Sequence, residues 1–131
     1  MNLTNRDREI LALNQGVLDA VVQGDWASYA SRCCDSLSCF EAETEGVLVE
    51  GLDFHQFYFP KEGSNPNNQA AVTVTMARPH LRWLSDDAVV LSYTRLVQRH
   101  NDGVFTTSAC CETRIWQNQS GTWKQVHVHR S

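Results

Sequence analysis

Ile10, Leu11, Val17, Leu18, Val21 and Val22 recur at three- and four-residue intervals, the spacing of one apolar helix face. Thr4 or Asn5 can cap that helix at its start, and Gly24 stops it after Gln23. Asp25 is the next N-cap, opening a short second helix whose Trp26, Tyr29 and Ala30 lean back onto the first. From Leu37 the period shortens. LSCFEA and VLVEG, joined at Glu45 and Gly46, read as a hairpin. GLDFHQFYF, residues 51 to 59, returns to helical spacing through its aromatic positions 54, 57 and 58, and Pro60 ends it. Residues 61–69, KEGSNPNNQ, hold no apolar side chain and predict a mobile surface loop. Four long strands follow, at about 70–83, 88–99, 104–117 and 122–130. Asn101-Asp102-Gly103 and Gln119-Ser120-Gly121 turn two consecutive hairpins. The pattern is α+β, with a helical N-terminal part covering one face of a long antiparallel sheet.

Length makes residues 1–131 a single domain, since the chain is long enough to close one core and too short for two. Eleven Lys and Arg against fifteen Asp and Glu, with no long basic run, exclude a surface that tracks nucleic acid. The polar-apolar alternation of the first fifteen residues excludes a signal or a membrane span there, and places the chain in the cytoplasm. Five cysteines, two of the pairs adjacent in sequence and none in CxxC spacing, read as reduced and mostly buried thiols.

Strand periodicity then gathers charge. Val89, Leu91, Tyr93, Arg95 and Val97 share one face; so do Cys110, Glu112, Arg114 and Trp116, and so do Val126, Val128 and Arg130. Three neighbouring strands each direct an arginine inward, and guanidiniums out of water demand anions. Two readings stay open. Either internal carboxylates, Glu112, Glu41 or Glu43, neutralise the cluster or one arginine lies on the wet face, or else Arg95, Arg114 and Arg130 line a pocket for a small carboxylate or an acidic side chain.

His127 and His129 share a strand face but have no third ligand at supporting spacing, so no metal and no cofactor is expected. His55, between aromatic residues, is either a hydrogen-bonded core histidine or part of the pocket wall. No catalytic residue stands out: there is no GxSxG elbow, no glycine-rich phosphate loop and no kinase signature. An isomerase-type site would have to draft Glu112 as base and Tyr29 as acid, and three arginines would make that carboxylate a poor base.

The blocks GDWASY (24–29), FEAE (40–43), LVEGLDFHQFYF (48–59), CETRIW (111–116) and WKQVHVHRS (123–131) together resemble the association, or hub, domain of calcium/calmodulin-dependent protein kinase II. The resemblance is colinear over about residues 8 to 131, and the parent superfamily is that of nuclear transport factor 2-like and polyketide cyclase-like cones. It implies a cone-shaped roll, a strongly curved sheet around a long N-terminal helix. It implies further that the chain partners itself as a closed ring of dimers, and pairs with hub domains of related kinases. It places Arg95, Arg114 and Arg130 in one cavity, with His55 at its ligand-binding part and mouth and with Tyr29 on the second helix. Pro60-Lys61-Glu62-Gly63 departs from the apolar Leu-Trp usual after FYF. With no kinase segment and no basic amphipathic helix before the domain, neither kinase activity nor calmodulin binding is expected.

Overall fold

The computed structural model describes residues 2–59 and 71–131; the expected loop at 61–69 lies outside them. Helix α1 (Asn5–Gln23) starts where Thr4 and Asp7 exchange side-chain and backbone hydrogen bonds in a capping box, and ends at Gly24 with φ 70°. The Asp7 carboxylate also accepts from Trp83 Nε1 at 2.8 Å, and the Arg6 guanidinium lies 4.0 Å over the same ring. One residue turn therefore fixes both the start of α1 and its angle to the sheet. Asp25 caps α2 (Trp26–Ser31) through the amide of Ser28.

The strands are β1 (Cys33–Phe40), β2 (Val49–Glu50), β3 (Ala71–Ser85), β4 (Ala88–Asn101), β5 (Val104–Gln119) and β6 (Thr122–Arg130), in the sheet order β2-β1-β6-β5-β4-β3. A 3-10 turn η1 (Ala42–Thr44) lies between β1 and β2, and a 3-10 helix η2 (Asp53–Tyr58) follows β2. Phe59 is extended, as a residue before proline must be. Two-residue loops, Asp102-Gly103 and Ser120-Gly121, have positive φ at both positions and turn the two late hairpins.

Four points differ from the periodicity. The sheet is not wholly antiparallel, because β1 runs parallel to β6. The early hairpin exists, but β1 starts at Cys33 and β2 has two residues. In β6, Val126 is the extra residue of a bulge, so Gln125 takes the inward place and only Val128 and Arg130 keep the expected phase. Of the cysteines, all free, only Cys33 and Cys39 are buried, and Cys111 is exposed.

A second bulge curls the sheet. Arg78, at φ 52°, and Pro79 together oppose Tyr93, bending the edge strand β3 around α1 where a proline costs no ladder bond. The core fills the resulting cone: Ile10, Val17 and Leu18 of α1 meet Leu37, Val89, Leu91, Trp116 and Val128 of the sheet. Its centre is polar. Asn14, fully buried on α1, accepts from Trp116 Nε1 at 3.0 Å and donates toward Met76 Sδ. No helix among the described residues is long and apolar enough to cross a membrane.

Replacing Asn14 with Leu leaves the buried indole N–H without an acceptor. Urea denaturation should register a loss of about 1–3 kcal/mol, with little change in the slope against denaturant.

Candidate functional site

β-Pairing puts Tyr93, Glu112 and Arg130 opposite one another on β4, β5 and β6, with Arg95 and Arg114 on the flanking inward positions. Arg114 is 4% exposed. Its Nε donates to Tyr93 Oη at 3.1 Å and to Glu112 Oε1 at 3.3 Å, and its Nη1 donates to Gln125 Oε1 at 2.6 Å. Tyr93 also donates to Glu112. Gln125 is held in turn by Cys33 Sγ, 2.9 Å from its amide nitrogen. A planar donor set thus finds a planar set of acceptors at the bottom of the cone.

The other two arginines are paired as well. Arg95 Nε lies 3.2 Å from Glu112 Oε2, a charge contact without an aligned hydrogen bond. Arg130 Nη2 reaches Glu43 at 3.1 and 3.3 Å and Glu41 at 3.7 Å. The carboxylates named from sequence are the counter-ions, so the cluster holds three guanidiniums against Glu112, Glu41 and Glu43. Their settings differ: Glu112 is fully buried, whereas the Glu43 side chain is 41% exposed.

Arg95, Arg114 and Arg130, with Tyr29, His55 and Glu41, line one cavity of about 30 Å³, walled on its apolar side by Val21 and Phe59. All five residues expected at the site are brought together. His55 is 1% exposed and so belongs to the inner wall, not the mouth. Tyr29 Oη lies 2.8 Å from His55 Nδ1. Arg114 lines the same cavity as this pair, and its charge opposes the effect of burial on the Tyr29 phenol. Burial raises the Tyr29 pKa, which keeps that phenol a donor.

Tyr93 and Gln125 complete the Arg114 shell. Tyr93 is legible from sequence as the neighbour of Arg95 on one strand face. Gln125 is not, because the β6 bulge reverses its phase. His127 and His129 stand on the opposite sheet face, where His127 Nδ1 is 2.7 Å from Ser38 Oγ and Phe40 packs against both rings. No group of three metal-ligating side chains occurs among the described residues.

Charge and burial act against each other at Glu112. Burial pushes its pKa up, but Arg114, the Tyr93 hydrogen bond, Arg95 and Arg130 outweigh it and hold the carboxyl below its ordinary range. Burial, assisted by Arg114 and Arg130, lowers His55 to about 4. A histidine with a depressed folded pKa contributes stability above its unfolded value near 6.5, and that stability is lost as pH falls toward the folded value.

Between pH 7 and 5 the folded protein should therefore lose about 2 kcal/mol, and His55→Gln should remove most of that slope. His127, also lowered by burial and then by His129, contributes in the same direction from the other face. Arg114→Ala leaves Glu112 buried with Arg95 as its remaining close cation; a cost of about 3–5 kcal/mol is expected. Arg130→Gln, whose nearer partner Glu43 can be solvated, should cost less than Arg114→Ala. Denaturation midpoints of the three variants across pH check all of this.

The sequence model of the calcium/calmodulin dependent protein kinase II association domain matches residues 6–131. Among solved structures, the CaMKII hub homology domain of Chlamydomonas reinhardtii is 44% identical, with a TM-score of 0.88 over 97% of this chain and 98% of that one. The association domain of C. elegans CaMKII is 37% identical, with a TM-score of 0.87 over 96% and 95%. The S. rosetta CaMKII hub is 32% identical, with a TM-score of 0.80 over 99% and 98%. More distant likeness, such as 19% identity and a TM-score of 0.72 to an NTF2-like protein of Cytophaga hutchinsonii, reaches the fold alone. This cone, with its buried arginine cluster, belongs to the calcium/calmodulin dependent protein kinase II association domain family.

Proposed function

We propose that the chain is a homo-oligomerisation hub in the cytoplasm, assembling as a closed ring of dimers and accepting hub domains of related kinases as partners. The observation that carries this is the end-to-end match to hub domains, which covers essentially the whole of both chains. Surface chemistry supports it. Phe105 and Val104, at the tip of the β4–β5 hairpin, are 78% and 61% exposed, and Leu84 at the β3–β4 turn is 63% exposed. Large apolar side chains at protruding turns cost solvation unless another surface covers them.

The same cone serves small-molecule enzymes elsewhere, and Glu112 is the carboxylate such a reading needs. Its depressed pKa, set by two close arginines, makes it an ion-pair partner and a weak base. The reading without enzymatic activity is therefore favoured.

The cavity adds a second property, binding of a small carboxylate or acidic side chain. Three arginines face one space, and among the described residues that line it Glu41 is the carboxylate. An incoming carboxylate would meet Arg130 and Arg114.

Native mass measurement should give an assembly of roughly 150 to 300 kDa, the range of a dozen or more subunits. A species of 14.8 kDa at micromolar concentration would overturn the hub reading. Phe105→Asp should lower the mass or the concentration at which the assembly persists. Malonate should raise the melting temperature more than chloride does at equal ionic strength, and Arg130→Gln should diminish that rise.

A further inference from the structure

The carboxylates around Arg130 do not hold it equally well. Both oxygens of Glu43 contact one nitrogen of the guanidinium, at 3.1 and 3.3 Å, from a side chain that is 41% exposed. Glu41, buried, stands at 3.7 Å, and its Oε2 makes no hydrogen bond among the described residues. The chain from Glu41 to Glu43 is therefore bent over the open end of the cluster, presenting a soluble carboxylate outside and a poorly satisfied one inside. η1 makes the bend: Thr44 donates to the Glu41 carbonyl and receives the Glu41 amide, and Glu45 closes the turn at φ 53°.

Charge and volume together restrict how an anion can enter. Among the described residues, Glu112, Glu41 and Glu43 match the three arginines one for one, so against these partners an added carboxylate is one negative charge in excess. The vacant space, about 30 Å³, is that of a water or two, smaller than a carboxylate with its methylene. On the far side of Arg130 and Glu41, however, lies an open pocket of about 390 Å³ between Phe40, Ala42 and His129. Arg130 and Glu41 line both spaces, and Glu43 holds Arg130 from outside them.

We propose that Glu43 is a tethered competitor for the anion site: a ligand carboxylate binds by exchange, taking the place of Glu43 on Arg130 while Glu43 swings to solvent. This regulation rests on the anion-binding reading above. Exchange sets one carboxylate in place of another on Arg130, and the group released is the one that water can solvate. An exposed pair of this kind is worth up to about a fivefold factor in an equilibrium constant. Glu41, held in the wall, contributes shape and lowers affinity without leaving.

The test titrates the assembled wild-type protein, Glu43→Gln, Glu41→Gln and Glu45→Gln with malonate at fixed ionic strength, reading heat and melting temperature. Glu45 is an exposed neighbour that removes the same unit of charge without touching Arg130. Glu43→Gln is expected to bind malonate up to about fivefold more tightly than wild type, with Glu45→Gln unchanged. Binding by Glu43→Gln alone, where the wild type shows none, also supports exchange. If the wild type binds and Glu43→Gln binds equally or less tightly, exchange is wrong and the pocket stands. Equal tightening in Glu45→Gln would mean that overall charge, not the Arg130 contact, sets affinity. If neither wild type nor any of the variants binds malonate, the anion pocket itself fails, and the competitor with it.

Discussion

Burying the Arg114 guanidinium sets the terms for the rest of the molecule. A cation removed from water is tolerated only where its donors meet acceptors of matching geometry. Glu112, Tyr93 and Gln125 supply them from three adjacent strands, and Tyr29 of α2 lines the same cavity as Arg114. The register of β4, β5 and β6, the bulge that turns Gln125 inward, and the seat of the second helix all answer to that one side chain. The network also explains why His55 remains neutral. Burial and two nearby guanidiniums disfavour the imidazolium.

A cone of this shape does not by itself fix a chemistry. What distinguishes this one is the sign of its interior. A carboxylate becomes a useful base when burial dominates its environment, and an anchor when cations do. At Glu112 burial is the largest single influence, yet the arginines and Tyr93 together exceed it. The cone interior therefore stabilises fixed charge, which suits a part of an assembly better than a proton-transfer centre.

Much of this was legible from residue pattern. The late strands and their turns followed from alternation and from Asp102-Gly103 and Ser120-Gly121, because period and positive φ are local properties. The inward arginines and their counter-ions followed from the same alternation together with the cost of unpaired charge. Where period two broke, legibility ended. The extra residue Val126 shifted Gln125 onto the inward face, and nothing local marks that bulge. Asn14 was hidden for a different reason: it interrupts an apolar helix face, and its partner Trp116 lies 102 residues away. The parallel union of β1 with β6 was likewise unreadable, since it joins segments with no turn between them.

That union has a consequence for biosynthesis. β1 is made early, but its neighbour β6 is the final strand of the sheet, and the cavity wall needs Gln125 and Arg130 from it. While the ribosome is still extending the chain, α1, α2 and β1 have no completed sheet to close against, and Arg114 emerges before the glutamine that satisfies it. Long-range closure of this kind delays folding until the loop entropy has been overcome at the very end. Until β6 has been made, a nascent hub is consequently an open half-cone whose charged centre cannot close.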